Sequence, residues 1–173
     1  MTTYSTSNML GVNVAQTYAV STDLYPYQGT DAPFALGQVA VGTDGSSWVF
    51  VLAGEAINQY DAVSVDHNFT ALQMDSTEAA KGNKVGVASQ TGIASGAYGW
   101  VQCRCETTVF TLGGTADATR LVSSATAGAL DDSTTVGTVI KGIVTTTSNT
   151  LTTKAAVAAF MTVEPFCDIP AIA

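Results

Sequence analysis

The chain has 173 residues, of which only 12% carry a charged side chain, and its formal net charge is −8. This charged fraction is about half of that in an average globular protein. The six basic residues are scattered, so no basic stripe exists to bind the phosphates of nucleic acid or an anionic membrane. We therefore expect neither a nucleic acid nor a membrane partner, and no apolar run approaches the ~20 residues of a membrane span.

The first 35 residues differ from the rest and are predicted to form an extended N-terminal arm. They hold four of the six tyrosines, and Pro26 and Pro33 prevent a continuous helix. Ordering such a segment costs conformational entropy that only docking can offset. Tyrosine supplies contact area at a low entropy cost, so we expect this arm to lie on a neighbouring surface.

Residues 36–165 are predicted to form one all-β domain, either a small β-barrel or a β-sandwich. The clearest element is a hairpin over residues 36–53, in which Asp44 and Gly45 make the turn. Trp48 and Phe50 share one face of its second strand, and the residues between them share the other. Further strand-like runs, separated by turn residues, are 62–65, 69–74, 84–89, 98–105, 107–112, 121–129, 136–144 and 155–163.

Two short helical turns and a C-terminal tail complete this prediction. Residues 75–82 favour a helical turn that Asp75 or Ser76 would cap and Gly82 would end. Residues 115–120 favour a second turn. Pro165 is expected to end the last strand, which leaves residues 166–173 as an extended tail.

No pattern of side chains indicates catalysis or metal binding. The single histidine, His67, lies in a predicted turn, where a polar residue is expected for structural reasons. Cys103, Cys105 and Cys167 match no zinc-binding spacing and are predicted to be reduced, buried thiols that face inward where they lie on a strand. The acidic residues form no calcium-loop series. We therefore expect no enzyme, no cofactor and no metal.

One progression of short motifs resembles the head decoration, or capsid cement, proteins of tailed bacteriophages. It runs from Asp61-Ala62-Val63 through Val85-Gly86-Val87-Ala88 and Gly99-Trp100-Val101 to Ala127-Gly128-Ala129-Leu130. The resemblance covers residues 55–145. The family often has a glycine shortly after the third motif, where this chain has Cys105 and Glu106.

This resemblance implies a protein on the outer surface of a virion capsid. Its partners would be the major capsid protein and other copies of itself, with a homotrimer favoured, and no catalytic residues would be carried over. Many copies would each bind the shell and bridge its subunits, so their effects would add. Aromatic side chains often dominate interfaces, so the predicted anchors of the arm are Tyr18, Tyr25, Tyr27 and Phe34.

Two other classes of protein fit the same sequence. One is another phage structural subunit, from the tail or a minor capsid component. The other is a carbohydrate-binding β-sandwich or adhesin, in which Trp48, Tyr98 and Trp100 would form a platform for sugar rings. The last possibility requires these aromatic rings to be exposed and coplanar, whereas an enzyme would require His67 to lie in a cleft.

Overall fold

The computed structural model describes residues 12–19, 32–135 and 137–168. The fold is nearly all β, which confirms the predicted class. Within these residues, ten strands form one continuous sheet. In chain order they are β1 (Val39–Val41), β2 (Ser47–Ala53), β3 (Ala62–Val65), β4 (Thr70–Gln73), β5 (Lys84–Val87), β6 (Tyr98–Thr111), β7 (Arg120–Ser123), β8 (Leu130–Asp131), β9 (Val139–Thr145) and β10 (Ala155–Cys167).

One short helix, α1 (Ser76–Ala79), lies between β4 and β5. The Asp75 side chain accepts hydrogen bonds of 2.8 Å from the backbone N–H groups of Thr77 and Glu78. These donors have no partner inside the helix, so the aspartate stabilises its N-terminus. The predicted cap is confirmed, although the helix is shorter than the predicted segment.

The sheet closes on itself twice. In the first ring, the neighbours are β2, β4, β3, β5 and β6, and β6 pairs with β2 to close it. In the second ring, the neighbours are β6, β8, β7, β9 and β10, and β10 pairs with β6 to close it. The long strand β6 belongs to both rings, and β5 and β10 also pair where the rings meet.

The second ring repeats the topology of the first. In each ring the first and third strands in chain order pair in parallel, and every other neighbouring pair is antiparallel. The inward pair Val49 and Val101 of the first ring corresponds to the inward pair Val109 and Val157 of the second. Strands β2 to β10 thus form two copies of one five-stranded arrangement that share β6.

A bulge marks the point where β6 passes from the first ring to the second. Cys105 has a φ of 74°, and the pairing of β6 with β2 shifts register next to it. The buried Gln102 side chain donates to the carbonyl oxygens of Arg104 and Glu106 and accepts a hydrogen bond from Ser89. The glutamine therefore satisfies backbone groups that the bulge removes from the ladder.

This bulge explains two incorrect predictions. The runs 98–105 and 107–112 were predicted as separate strands, but they form the single strand β6. Cys105 was predicted to be buried and to face inward with Cys103, yet it is partly exposed while Cys103 is buried. An extra residue in a strand reverses the side-chain alternation, so the two cysteines do not share a face.

Three groups of buried apolar side chains hold the sheet together. The first ring encloses one group, and the second ring encloses another. An aromatic group packs on the outside of the first ring. Ala62, Val85 and Val87 come from strands of the first ring but belong to the group of the second, so the two rings share a continuous apolar contact.

The C-terminal half also departs from the predicted boundaries. Residues 115–120 contain no helix, and the predicted strand 121–129 is reduced to β7, which ends at Ser123, with β8 beginning only at Leu130. The predicted tail is wrong at its start, because β10 continues through Pro165 to Cys167. The β9–β10 register is irregular between Met161 and Phe166, so the missing N–H of the proline interrupts no regular ladder there.

Candidate interaction surface and buried polar site

Residues of the N-terminal arm cover an aromatic cluster on the first ring. The cluster contains Trp48, Phe50 and Trp100, all of which are buried. Phe34 lies 5.3 Å from Phe50 and 5.2 Å from Trp100, measured between ring centroids. Tyr18 packs edge-on against Phe50, with centroids 6.0 Å apart. Such edge and tilted contacts add stabilisation beyond that of the buried area.

The backbone fixes the arm to the same place. Tyr18 donates a hydrogen bond of 2.9 Å to the carbonyl of Tyr98 and accepts one of 2.8 Å from its N–H group. This isolated antiparallel bridge lies at the beginning of β6. The arm is therefore held by a backbone bridge as well as by its aromatic side chains.

The predicted anchors have different positions. Tyr18 and Phe34 contact their own domain, so these two rings stabilise the arm on the first ring. Tyr25 and Tyr27 lie outside the described residues. The contacts of Tyr18 and Phe34 differ from the expected contacts with a shell or a neighbour.

The proposed sugar-binding platform is not open to solvent. Trp48 is 5% exposed and Trp100 is 2% exposed. Tyr98 is partly buried and stacks on Phe50 with an interplanar angle of 10°. Because the arm covers these rings, neither tryptophan offers a free face to a carbohydrate ring.

The residues considered for catalysis or metal binding do not come together. His67 is exposed in the turn between β3 and β4, where the Asp66 carboxylate accepts hydrogen bonds from the N–H groups of Asn68 and Thr70. Burial raises the pKa of Cys103 to about 12 and that of Cys167 to about 11, so both thiols stay protonated at neutral pH. In residues 12–19, 32–135 and 137–168, no three His, Cys, Asp or Glu side chains are placed to hold a metal ion.

A cleft of about 550 Å³ lies between the two rings. Its walls include Gln59, Tyr60, Gln102, Glu106 and Thr108. Glu106 supplies the one charged side chain among the described residues that line it. The cleft is therefore a polar groove with a single carboxylate.

A buried ion pair joins the two rings, and sequence reasoning did not find it. The Asp61 side chain is fully buried, and its Oδ1 lies 3.0 Å from Nζ of Lys154. Its Oδ2 accepts hydrogen bonds from the backbone and side chain of Asn58 and from the side chain of Gln73. Lys154 Nζ also lies 4.4 Å from the ring centroid of Phe110. Each charge is thus satisfied by several partners.

Three of the four segments that carry the family resemblance meet beside this ion pair, and the fourth contacts one of them. A Cβ atom on Gly128 would lie 2.2 Å from Oδ1 of Asp61, so only glycine fits beside the carboxylate. The N–H of Ala62 bonds to the carbonyl of Gly128, and the N–H of Ala88 bonds to the carbonyl of Asp61. A Cβ on Gly86 would lie 3.0 Å from Val101. All four motifs therefore belong to one connected set of contacts.

Comparison of the chain with protein-family models, curated proteins and solved structures finds no match. In the described part of the chain, no helix is long and apolar enough to cross a membrane.

Proposed function

We propose that this protein is a bacteriophage virion component, a decoration protein that binds the outer capsid surface and stabilises the shell by bridging its subunits. The observation that supports this proposal is that the four family-like motifs form one connected set of contacts, with three of them beside Asp61 and Gly128. Asp61 and Gly128 are 67 residues apart in the chain, and the fold brings them into contact.

The surface chemistry supports the same proposal. A net charge of −8 with few basic residues suits the exterior of a shell better than contact with its genome. Exposed apolar side chains lie on the outer face of β9 and β10, including Val144, Phe160 and Phe166, at 36%, 37% and 42% exposure. Apolar contacts of this kind commonly lie at the centre of protein interfaces.

The arm has two parts with different roles in this proposal. Tyr18 and Phe34 hold the arm on the first ring. Tyr25 and Tyr27 remain the predicted anchors to the capsid or to a neighbouring copy. Replacing Tyr25 and Tyr27 by alanine should therefore weaken shell binding at an unchanged melting temperature, whereas Phe34→Ala should lower the melting temperature as well.

Co-sedimentation of the purified protein with undecorated capsids tests the proposal directly. We expect saturable binding and an increased temperature of shell disruption. Failure to bind capsids at any concentration would refute the decoration function. Assembly of the protein alone into tubes would instead indicate a tail subunit, which is the second phage structural role that the sequence allows.

A further inference from the structure

Strand β1 is the open edge of the sheet. Among the described residues, β1 pairs with β2 alone, whereas each of the other nine strands pairs with at least two neighbours. Closure of the two rings therefore leaves one exposed strand edge in this part of the chain. An exposed edge offers backbone donors and acceptors to another strand.

The hydrogen-bonding pattern shows which groups are exposed. Phe50 N–H donates to the carbonyl of Gln38, and Gly42 N–H donates to the carbonyl of Ser46, both at 2.9 Å. In an antiparallel ladder, bonding residues alternate along the strand. The N–H and C=O groups of Val39 and Val41 therefore point away from β2.

The side chains of this edge are also apolar and exposed. Val39 is 41% exposed and Val41 is 60% exposed. Residues 36–43 contain no charged side chain. Natural proteins commonly protect an open edge with lysine, proline or an inward-facing charge, and β1 has none of these. On a chain with a net charge of −8, antiparallel pairing of this segment with itself places no two like charges directly opposite each other.

We infer that β1 pairs antiparallel with β1 of a second copy, which joins two sheets into one across a two-fold axis. The outward backbone groups belong to Val39 and Val41, which lie symmetrically on either side of Ala40. A two-fold axis through Ala40 places Val39 of each copy opposite Val41 of the other. Each such pair exchanges two N–H to C=O hydrogen bonds. The edge is therefore complementary to itself.

This contact is small, so the association should be weak in dilute solution. Three residues from each copy bury far less than the roughly 800 Å² per partner of a standard stable interface. Many copies held close together would favour the same contact through their high effective concentration. The inference concerns a two-fold contact and does not rest on the proposed decoration function.

Sedimentation equilibrium of the full chain over a range of concentrations, combined with hydrogen exchange, tests the inference. We expect the average mass to rise toward that of a dimer, and the amides of Val39 and Val41 to become protected over the same concentrations. Val41→Lys should weaken the association at least about tenfold, because two lysines would enter the small contact. Leu151→Lys is the matched control, because Leu151 is 58% exposed and lies in the loop between β9 and β10.

A second variant distinguishes loss of association from loss of folding. Val41→Pro removes an N–H group that the fold does not use, and extended backbone before it suits proline, so the monomer should keep its melting temperature while losing association. A Val41→Lys protein that associates like the wild type would overturn the inference. Protection of the Val39 and Val41 amides at every protein concentration would also overturn the inference, because the chain itself would then cover the edge. A closed trimer would also overturn the two-fold geometry.

Discussion

Removing the lysine of the buried ion pair should destabilise the fold far more than removing an equally close lysine at the surface. Lys154→Met leaves the fully buried Asp61 without its counter-charge, and the side chain of Lys154 is itself only 29% exposed. At a separation of 3.0 Å, an effective dielectric constant of about 20 gives an attraction of about 5.5 kcal/mol. Desolvation and the remaining hydrogen bonds to Asp61 offset part of this, so we expect a loss of about 3 kcal/mol.

The matched control is the pair of Lys84 and Glu164. Its two charged atoms are 2.7 Å apart, but the side chains are 58% and 51% exposed. Water screens such a pair, so Lys84→Met should cost no more than about 1 kcal/mol. The two variants thus compare burial at nearly constant separation.

Urea unfolding measures the free energy of unfolding of both variants and of the members of a double-mutant cycle. The cycle combines Lys154→Met with Asp61→Asn, and the coupling energy should exceed about 1.5 kcal/mol. Equal losses from the buried and exposed lysines, or a coupling energy near zero, would refute the reasoning that this ion pair joins the two rings.

The remaining predictions concern the thiols and one glycine. At pH 8, a thiol reagent should react rapidly with Cys105 alone, which is partly exposed. Burial raises the pKa of Cys103 to about 12 and that of Cys167 to about 11, so these two thiols should react slowly. Rapid reaction of two thiols would contradict the prediction. Above pH 9 the folded protein keeps the protons of Cys103 and Cys167, while the unfolded chain releases them. The free energy of unfolding should therefore fall with rising pH, by up to ~1.4 kcal/mol per pH unit for each thiol. Urea titrations at pH 8 and pH 10 measure this fall, and an unchanged free energy of unfolding would contradict the prediction. Gly128→Ala should lower the free energy of unfolding by about 3 kcal/mol, because the new Cβ clashes with the buried carboxylate of Asp61 at a φ of +71°. The control is Gly96→Ala, which has a φ of +74° but lies in open space and should cost about 1 kcal/mol. Similar unfolding midpoints for the two variants would show that the clash is absent.

Local patterns in the sequence were sufficient to predict the strands whose neighbours are close in the chain. Val49 and Val51 face the interior of the first ring, while Trp48 and Phe50 face the aromatic cluster, as alternation indicated. The Asp44 turn forms as predicted, with the aspartate accepting a hydrogen bond of 3.0 Å from the N–H of Ser46. A hairpin of this kind is fixed by the period of two and by turn chemistry.

The candidate site was only partly predictable. Tyr18 and Phe34 were predicted to anchor the arm to a capsid or a neighbouring copy, whereas they pack on their own domain, which no local pattern in the sequence indicates. Asp61 was noticed as part of a motif without its partner, because Lys154 lies 93 residues further along the chain. An aspartate followed by an alternating apolar run is equally compatible with a solvated turn, so burial of its carboxylate has no local signal.

The sequence by itself determined the all-β class, the faces of the local hairpins, the cap of α1 and the acidic, weakly charged surface. These properties depend on neighbouring residues and on composition. Only the tertiary structure decided that β6 serves two rings, that β2 pairs in parallel with β4, and that β1 is left as an edge. Such pairings depend on which strand edges remain free after the others have met, and that is a property of the whole assembled sheet.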